Sequence, residues 1–144
     1  MIKAKTKSAS PKRSSPAEIK KLYEDIKGQH FITQILSSIP EDILILNINR
    51  QIVYGNDSLL DTVALPIDQV LGKRIGELFH CIHAHEERLG CGTTDFCKEC
   101  GGESILAAQK GEKNWRECRM TVKDGNNERA LDLKVWSIPL KIGK

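Results

Sequence analysis

Four cysteines, Cys81, Cys91, Cys97 and Cys100, fall within twenty residues of this 144-residue chain. Residues 80–101 hold them and show little hydrophobic periodicity. A segment that buries so little apolar surface needs another source of order, and clustered thiols supply one when they bind a metal or pair with each other. The spacing is nine residues between Cys81 and Cys91, five between Cys91 and Cys97, and two between Cys97 and Cys100. Two intervening residues let both thiols face one centre. Gly101-Gly102 after Cys100 permits a tight turn whose amides can point at sulfur and stabilise thiolate charge. A helix expected from Glu103 places partial positive charge near Cys100 and favours its thiolate.

The surrounding composition limits the alternatives. No stretch approaches the roughly 20 apolar residues of a membrane span, so membrane insertion is not expected. The N-terminus lacks the apolar run of a secretory signal, and the expected location is cytoplasmic. In that reducing compartment clustered cysteines read as metal ligands or redox groups rather than structural disulfides. Residues 1–27 hold eight Lys/Arg against three Asp/Glu, and the remainder holds fourteen against sixteen. The basic excess is thus a property of the N-terminal segment, and a nucleic-acid partner is not expected.

Along the chain, residues 1–16 read as a disordered basic tail rich in Lys and Ser. Residues 17–28 read as an N-terminal linker helix, with Ile19, Leu22 and Ile26 at helical spacing. Phe31, Ile32, Ile35, Leu36 and Ile39 continue the apolar stripe until Pro40 ends it. Such a helix can pack on its own domain and on a partner chain. Ile43 to Ile48 and Gln51 to Tyr54 predict a hairpin across Asn49-Arg50. Asn56 can cap a helix through Leu60 to Ala64, and two further short helices are expected before the cysteines. Trp115 to Val122 and Ala130 to Ile138 alternate around the turn signal Asp124-Gly125-Asn126-Asn127. Cys118, Met120 and Val122 share the inward face, so Cys118 reads as core, while Trp115 and Trp136 fall on the other side. His30 has no visible partner and reads as surface. The fold class is α+β, an antiparallel sheet with helices gathered on one side.

The runs Ile39-Pro40-Glu41-Asp42-Ile43-Leu44-Ile45-Leu46-Asn47, Ile52-Val53-Tyr54-Gly55-Asn56 and Val70-Leu71-Gly72-Lys73-Arg74-Ile75-Gly76-Glu77-Leu78-Phe79 resemble, in order and spacing, a PAS domain of the signalling histidine kinase type. The resemblance covers about residues 29–140, and the cysteine-rich loop 80–102 is an insertion relative to it. It implies a PAS-like antiparallel sheet of four to five strands with short helices on one face. It also implies Asn56 at a structural position, and a sensory role that passes a conformational change to a histidine kinase or other output domain. Only four strands are visible, and an open sheet edge favours a homodimer. No kinase motif is present and the chain is not expected to be an enzyme.

The metal reading assigns Cys81, Cys91, Cys97 and Cys100 as ligands, with His83 and His85 as alternative donors in a Cys₃His set. The irregular spacing favours an iron–sulfur cluster over zinc. Seven aromatic Phe, Trp and Tyr residues do not support a flavin cage, and no lone histidine is placed to ligate haem. Two other functions fit the same residues: a structural zinc module for interaction or dimerisation, and a metal-free thiol switch. A thioredoxin-like catalytic site is not supported, because Cys97-x-x-Cys100 lacks the βαβ context.

Overall fold

The computed structural model describes residues 9–86, 88–98, 100 and 102–141. The chain divides into two units, one spanning Lys12–Leu78 and one built on Phe79–Lys144 with residues 9–11.

In the first unit, helix α1 (Pro16–Lys27) starts where the sequence provides every start signal. Ser15 Oγ accepts from the Glu18 amide, and the Ser15 amide in turn donates to the Glu18 carboxylate at 2.7 Å. Ile19 and Ile26 bury one face of α1 against Val53 and Tyr54, with Leu22, Tyr23, Leu36, Ile45 and Leu71 around them. Helix α2 (His30–Ser38) follows, and Leu36 is its contribution to that core. Phe31, Ile32 and Ile35 stay exposed.

Strands β1 (Leu44–Leu46) and β2 (Ile52–Gly55) form the expected hairpin, with Ile45 opposite Tyr54 and an irregularity between Ile45 and Leu46. Arg50 takes φ +63° in the connecting turn. Three short helices come next: α3 (Asp57–Val63), α4 (Ile67–Val70) and α5 (Ile75–Leu78). Asn56 has no exposed surface and joins these parts. Its Oδ1 accepts from the Ile43 and Leu59 amides, the latter capping α3, and its Nδ2 donates to the Leu36, Ile39 and Glu41 carbonyls. Arg74 is also buried, and its guanidinium donates to the Asn49 and Lys12 carbonyls.

The second unit contains the cysteine segment, helix α6 (Glu103–Gln109), and strands β3 (Asn114–Asp124) and β4 (Asn127–Ser137). The two strands pair in register from Asn114–Ser137 to Asp124–Asn127. Gly125 takes φ +64° at the first corner of the turn, where a side chain would be strained. Cys118, Met120 and Val122 are buried on one face, with Leu131, Leu133 and Val135 half-buried beside them. Helix α6 packs on both strands, and its buried Ser104 hydroxyl meets that of Ser137 at 2.9 Å.

The sheet corrects the expectation from sequence. The described strands form two separate two-stranded antiparallel sheets, β1–β2 and β3–β4, and not one PAS-like sheet of four to five strands. One sheet would need a hydrogen-bonded ladder between the two hairpins, and no described strand supplies it. Hairpin signals are local and are read from a few adjacent residues, whereas the joining of hairpins depends on long-range pairing that alternation does not encode. Six helices accompany the strands among the described residues, so the coarser α+β class stands.

Candidate thiol site

The chain enters the cysteine segment along the edge of β3. Cys81 forms a single antiparallel bridge with Val122, and the Lys123 amide donates to the His80 carbonyl. His80 turns the backbone there with φ +58°. A 3₁₀ turn, Ile82–Ala84, follows directly. It aims the His83 and Ala84 amides at the Cys81 sulfur, but burial outweighs those bonds and pushes the Cys81 thiol up from its ordinary range. Negative charge on Cys100 and Cys97 adds to the rise, so all three thiols share one electrostatic neighbourhood.

His83 Nδ1 lies 2.7 Å from Glu86 Oε1, and its ring stacks on Phe96 with centroids 3.8 Å apart. His85 is exposed. Gly90 and Gly92, both with positive φ, bracket the turn that carries the half-buried Cys91. The Ala9 amide donates to the Gly92 carbonyl at 2.8 Å. A second 3₁₀ turn, Asp95–Lys98, presents Cys97, whose sulfur sits 3.3 Å from the buried Thr94 hydroxyl.

Cys100 and Cys118 bring two thiols into direct contact. Their sulfurs are 3.2 Å apart. Cys118 is fixed by the inward phase of β3 and is 2% exposed, while Cys100 lies at the approach to α6 and is half-buried. The hydrogen bond from Cys118 is the main reason the Cys100 thiol is lowered to about 6, against the opposing effect of burial. The Gly102 amide and the charge of His83 lower it further. A half-buried thiolate beside a buried thiol is the arrangement that permits disulfide formation, with Cys100 as the group that meets an oxidant and Cys118 as the thiol that resolves it.

Of the four expected metal ligands, Cys81, Cys97 and Cys100 are electrostatically coupled. Among the described residues no three His, Cys, Asp or Glu side chains converge tightly enough to hold a metal ion. The Cys100–Cys118 contact joins one loop cysteine to the strand cysteine. Cys118 lies in the core as its strand phase predicts, and its pairing with Cys100 is not written in the spacing of the cysteines. The signal was available: Cys118 shares the inward face of a strand that follows the helix Cys100 precedes.

No described helix is long and apolar enough to cross a membrane. Comparison with known proteins finds no matching family model, no matching curated protein and no matching solved structure.

Proposed function

We propose that this chain is a regulatory sensing module whose responsive element is the Cys100–Cys118 dithiol, switched by a hydroperoxide and reset by a cellular dithiol. The observation that carries this reading is the 3.2 Å separation of the two sulfurs. It rests on the site and not on the PAS resemblance, whose single sheet is not formed among the described strands.

The chemistry balances with residues at hand. The Cys100 thiolate attacks one oxygen of hydrogen peroxide, the O–O bond breaks, and the departing hydroxide takes a proton to leave as water. Cys100 then carries a sulfenic acid. The Cys118 sulfur attacks the Cys100 sulfur and displaces its hydroxyl, which leaves as water with the Cys118 proton. Two thiols and one peroxide give one disulfide and two waters, with two electrons passed to the peroxide. A small dithiol reverses the change by exchange through a mixed disulfide. The module turns over no substrate of its own; its signal passes to an output domain or partner such as a histidine kinase, in the cytoplasm.

A metal-thiolate centre is the second reading. What favours it is that Cys81 lies close enough to Cys97 and Cys100 for their charge to push its thiol up, an effect a bound cation would offset. It requires these groups, with Cys91, to draw together.

One experiment separates the two. Chain purified without oxygen is assayed for zinc, iron and sulfide, then treated with one equivalent of peroxide and mapped by differential alkylation and mass spectrometry. The dithiol reading expects metal-free protein, a Cys100–Cys118 disulfide, and its return to free thiols with dithiothreitol. Stoichiometric metal, or oxidation that never joins Cys100 to Cys118, overturns it.

A further inference from the structure

The outer edge of β4 has no strand beside it among the described residues, since its sheet contains β3 and β4 alone. In an antiparallel pair every second residue turns its N–H and C=O away from the partner. An eleven-residue strand in that state is a template for a further strand. Strands that stay single defend such edges with proline, short length or inward-pointing charge. β4 has no proline, and at its centre the inward-phase residues Leu131, Leu133 and Val135 are apolar; the one inward-phase charge, Arg129 opposite Val122, lies toward the turn.

We infer that β4 pairs with β4 of a second copy, antiparallel about a two-fold axis at Leu133, to make a four-stranded sheet. Charge selects both the occupant and the register. A neighbouring strand must keep outward residues opposite outward residues, so the axis falls on a residue. With the axis at Asp132 or Lys134, like charges face each other, and with the axis at Leu131, Glu128 faces the partner's Lys134 but Arg129 is set against the partner's Leu133 on the inward face. With the axis at Leu133, Asp132 lies opposite the partner's Lys134, and symmetry makes the contact twice. Ala130 then lies opposite the partner's Trp136, small against large. On the inward face Leu131 meets the partner's Val135, and Leu133 meets its own copy.

The outward face is already arranged for this. Arg119 holds Asp132 with Nε–Oδ1 at 2.6 Å. Lys134 Nζ sits 4.7 Å from the Trp115 ring centroid and 5.1 Å from that of Trp136. The two tryptophans, 46% and 58% exposed, lie with centroids 5.8 Å apart. Exposed Ile138 and Leu140 continue beyond the end of the strand.

The test uses the full reduced chain in sedimentation equilibrium. Wild type is expected to be dimeric. Asp132→Lys brings a lysine against the partner's Lys134, and Lys134→Glu brings a glutamate against the partner's Asp132. Each variant alone is expected to dimerise at least about tenfold more weakly. Mixing the two restores opposite charge at both contacts, so the mixture is expected to dimerise as a heterodimer. Circular dichroism of each variant reports whether the hairpin has folded. Phe31→Glu on the exposed face of α2 is expected to leave the dimer unchanged. A monomeric wild type, a mixture no tighter than its components, or a dimer abolished by Phe31→Glu and indifferent to Asp132→Lys overturns the proposal.

Discussion

Replacing Cys118 by alanine removes the hydrogen bond that is the largest cause of the lowered Cys100 thiol. The wild-type group titrates at about 6, and without Cys118 it returns toward its ordinary 9.0. At pH 7 the thiolate fraction then falls from about nine-tenths to about one-hundredth, nearly a hundredfold change. Reactivity changes by less, because a more basic thiolate is a better nucleophile. With a Brønsted coefficient of about 0.4–0.5, three pKa units return a factor of about 16–32. The net expectation is alkylation of Cys100 slower by about three- to sixfold at pH 7. At pH 9 the sign reverses. Wild-type Cys100 is already fully ionised there, the variant is half ionised, and its stronger nucleophile reacts about tenfold faster. The two pH–rate curves therefore cross between pH 7 and pH 9. Timed iodoacetamide labelling, read at the Cys100-containing peptide by mass spectrometry, measures both curves. Parallel curves with a shared midpoint near 9 would refute the claim that Cys118 activates Cys100.

The same contact links ionisation to folding. The folded thiol ionises below the unfolded one, so its contribution is fully present above the unfolded value and is lost as pH falls through about 6. Chemical denaturation of the reduced wild type should show stability rising from pH 6 to pH 9, with a smaller rise in Cys118→Ala. Asn56→Ala strips the cap of α3 and leaves the Leu36, Ile39 and Glu41 carbonyls without this donor. A loss of about 3 kcal/mol is expected in urea denaturation, and a loss below about 1 kcal/mol would remove Asn56 as the organiser of this region. Gly55→Ala places a Cβ 2.6 Å from Leu59 Cδ2, and Leu59 is fully buried. It should cost about 1–3 kcal/mol and lose part of that cost in a Leu59→Ala background, a coupling that a double-mutant cycle reads directly.

The parts of the fold legible in the sequence are those written in short-range chemistry. Ser15, Pro16 and Glu18 mark the start of α1 because each satisfies an amide or sets a dihedral within one turn. Asn56 caps α3 for the same reason, though its reach to three carbonyls of the α2–β1 connection lies outside any local pattern. The turn at Gly125 and the alternation on either side of it place the ends of β3 to within two residues and those of β4 to within three. What was not legible is long-range: which hairpin edges pair, and which cysteines meet. Spacing along the chain favoured Cys97 with Cys100, two residues apart. The structure instead sets Cys100 against Cys118, eighteen residues away, through the fold of α6 back onto β3.

That eighteen-residue separation gives the proposed switch its leverage. Cys100 stands at the approach to α6, Cys118 is held in β3, and Ser104 on the first turn of α6 already bonds Ser137 of β4. In the reduced state the start of α6 is held to the strands by packing and by that buried hydroxyl pair. Closing a disulfide adds a covalent tie between the same elements and restricts the unfolded chain by a loop whose closure is worth about 3 kcal/mol. The oxidised form should therefore be more stable by about that amount, with the gain absent from Cys118→Ala. Hydrogen exchange should place the added protection in α6 and the facing half of β3, not in the turn at Gly125. A disulfide that formed but left exchange in α6 unchanged would separate the thiol chemistry from any conformational message. The site would then report oxidation without transmitting it.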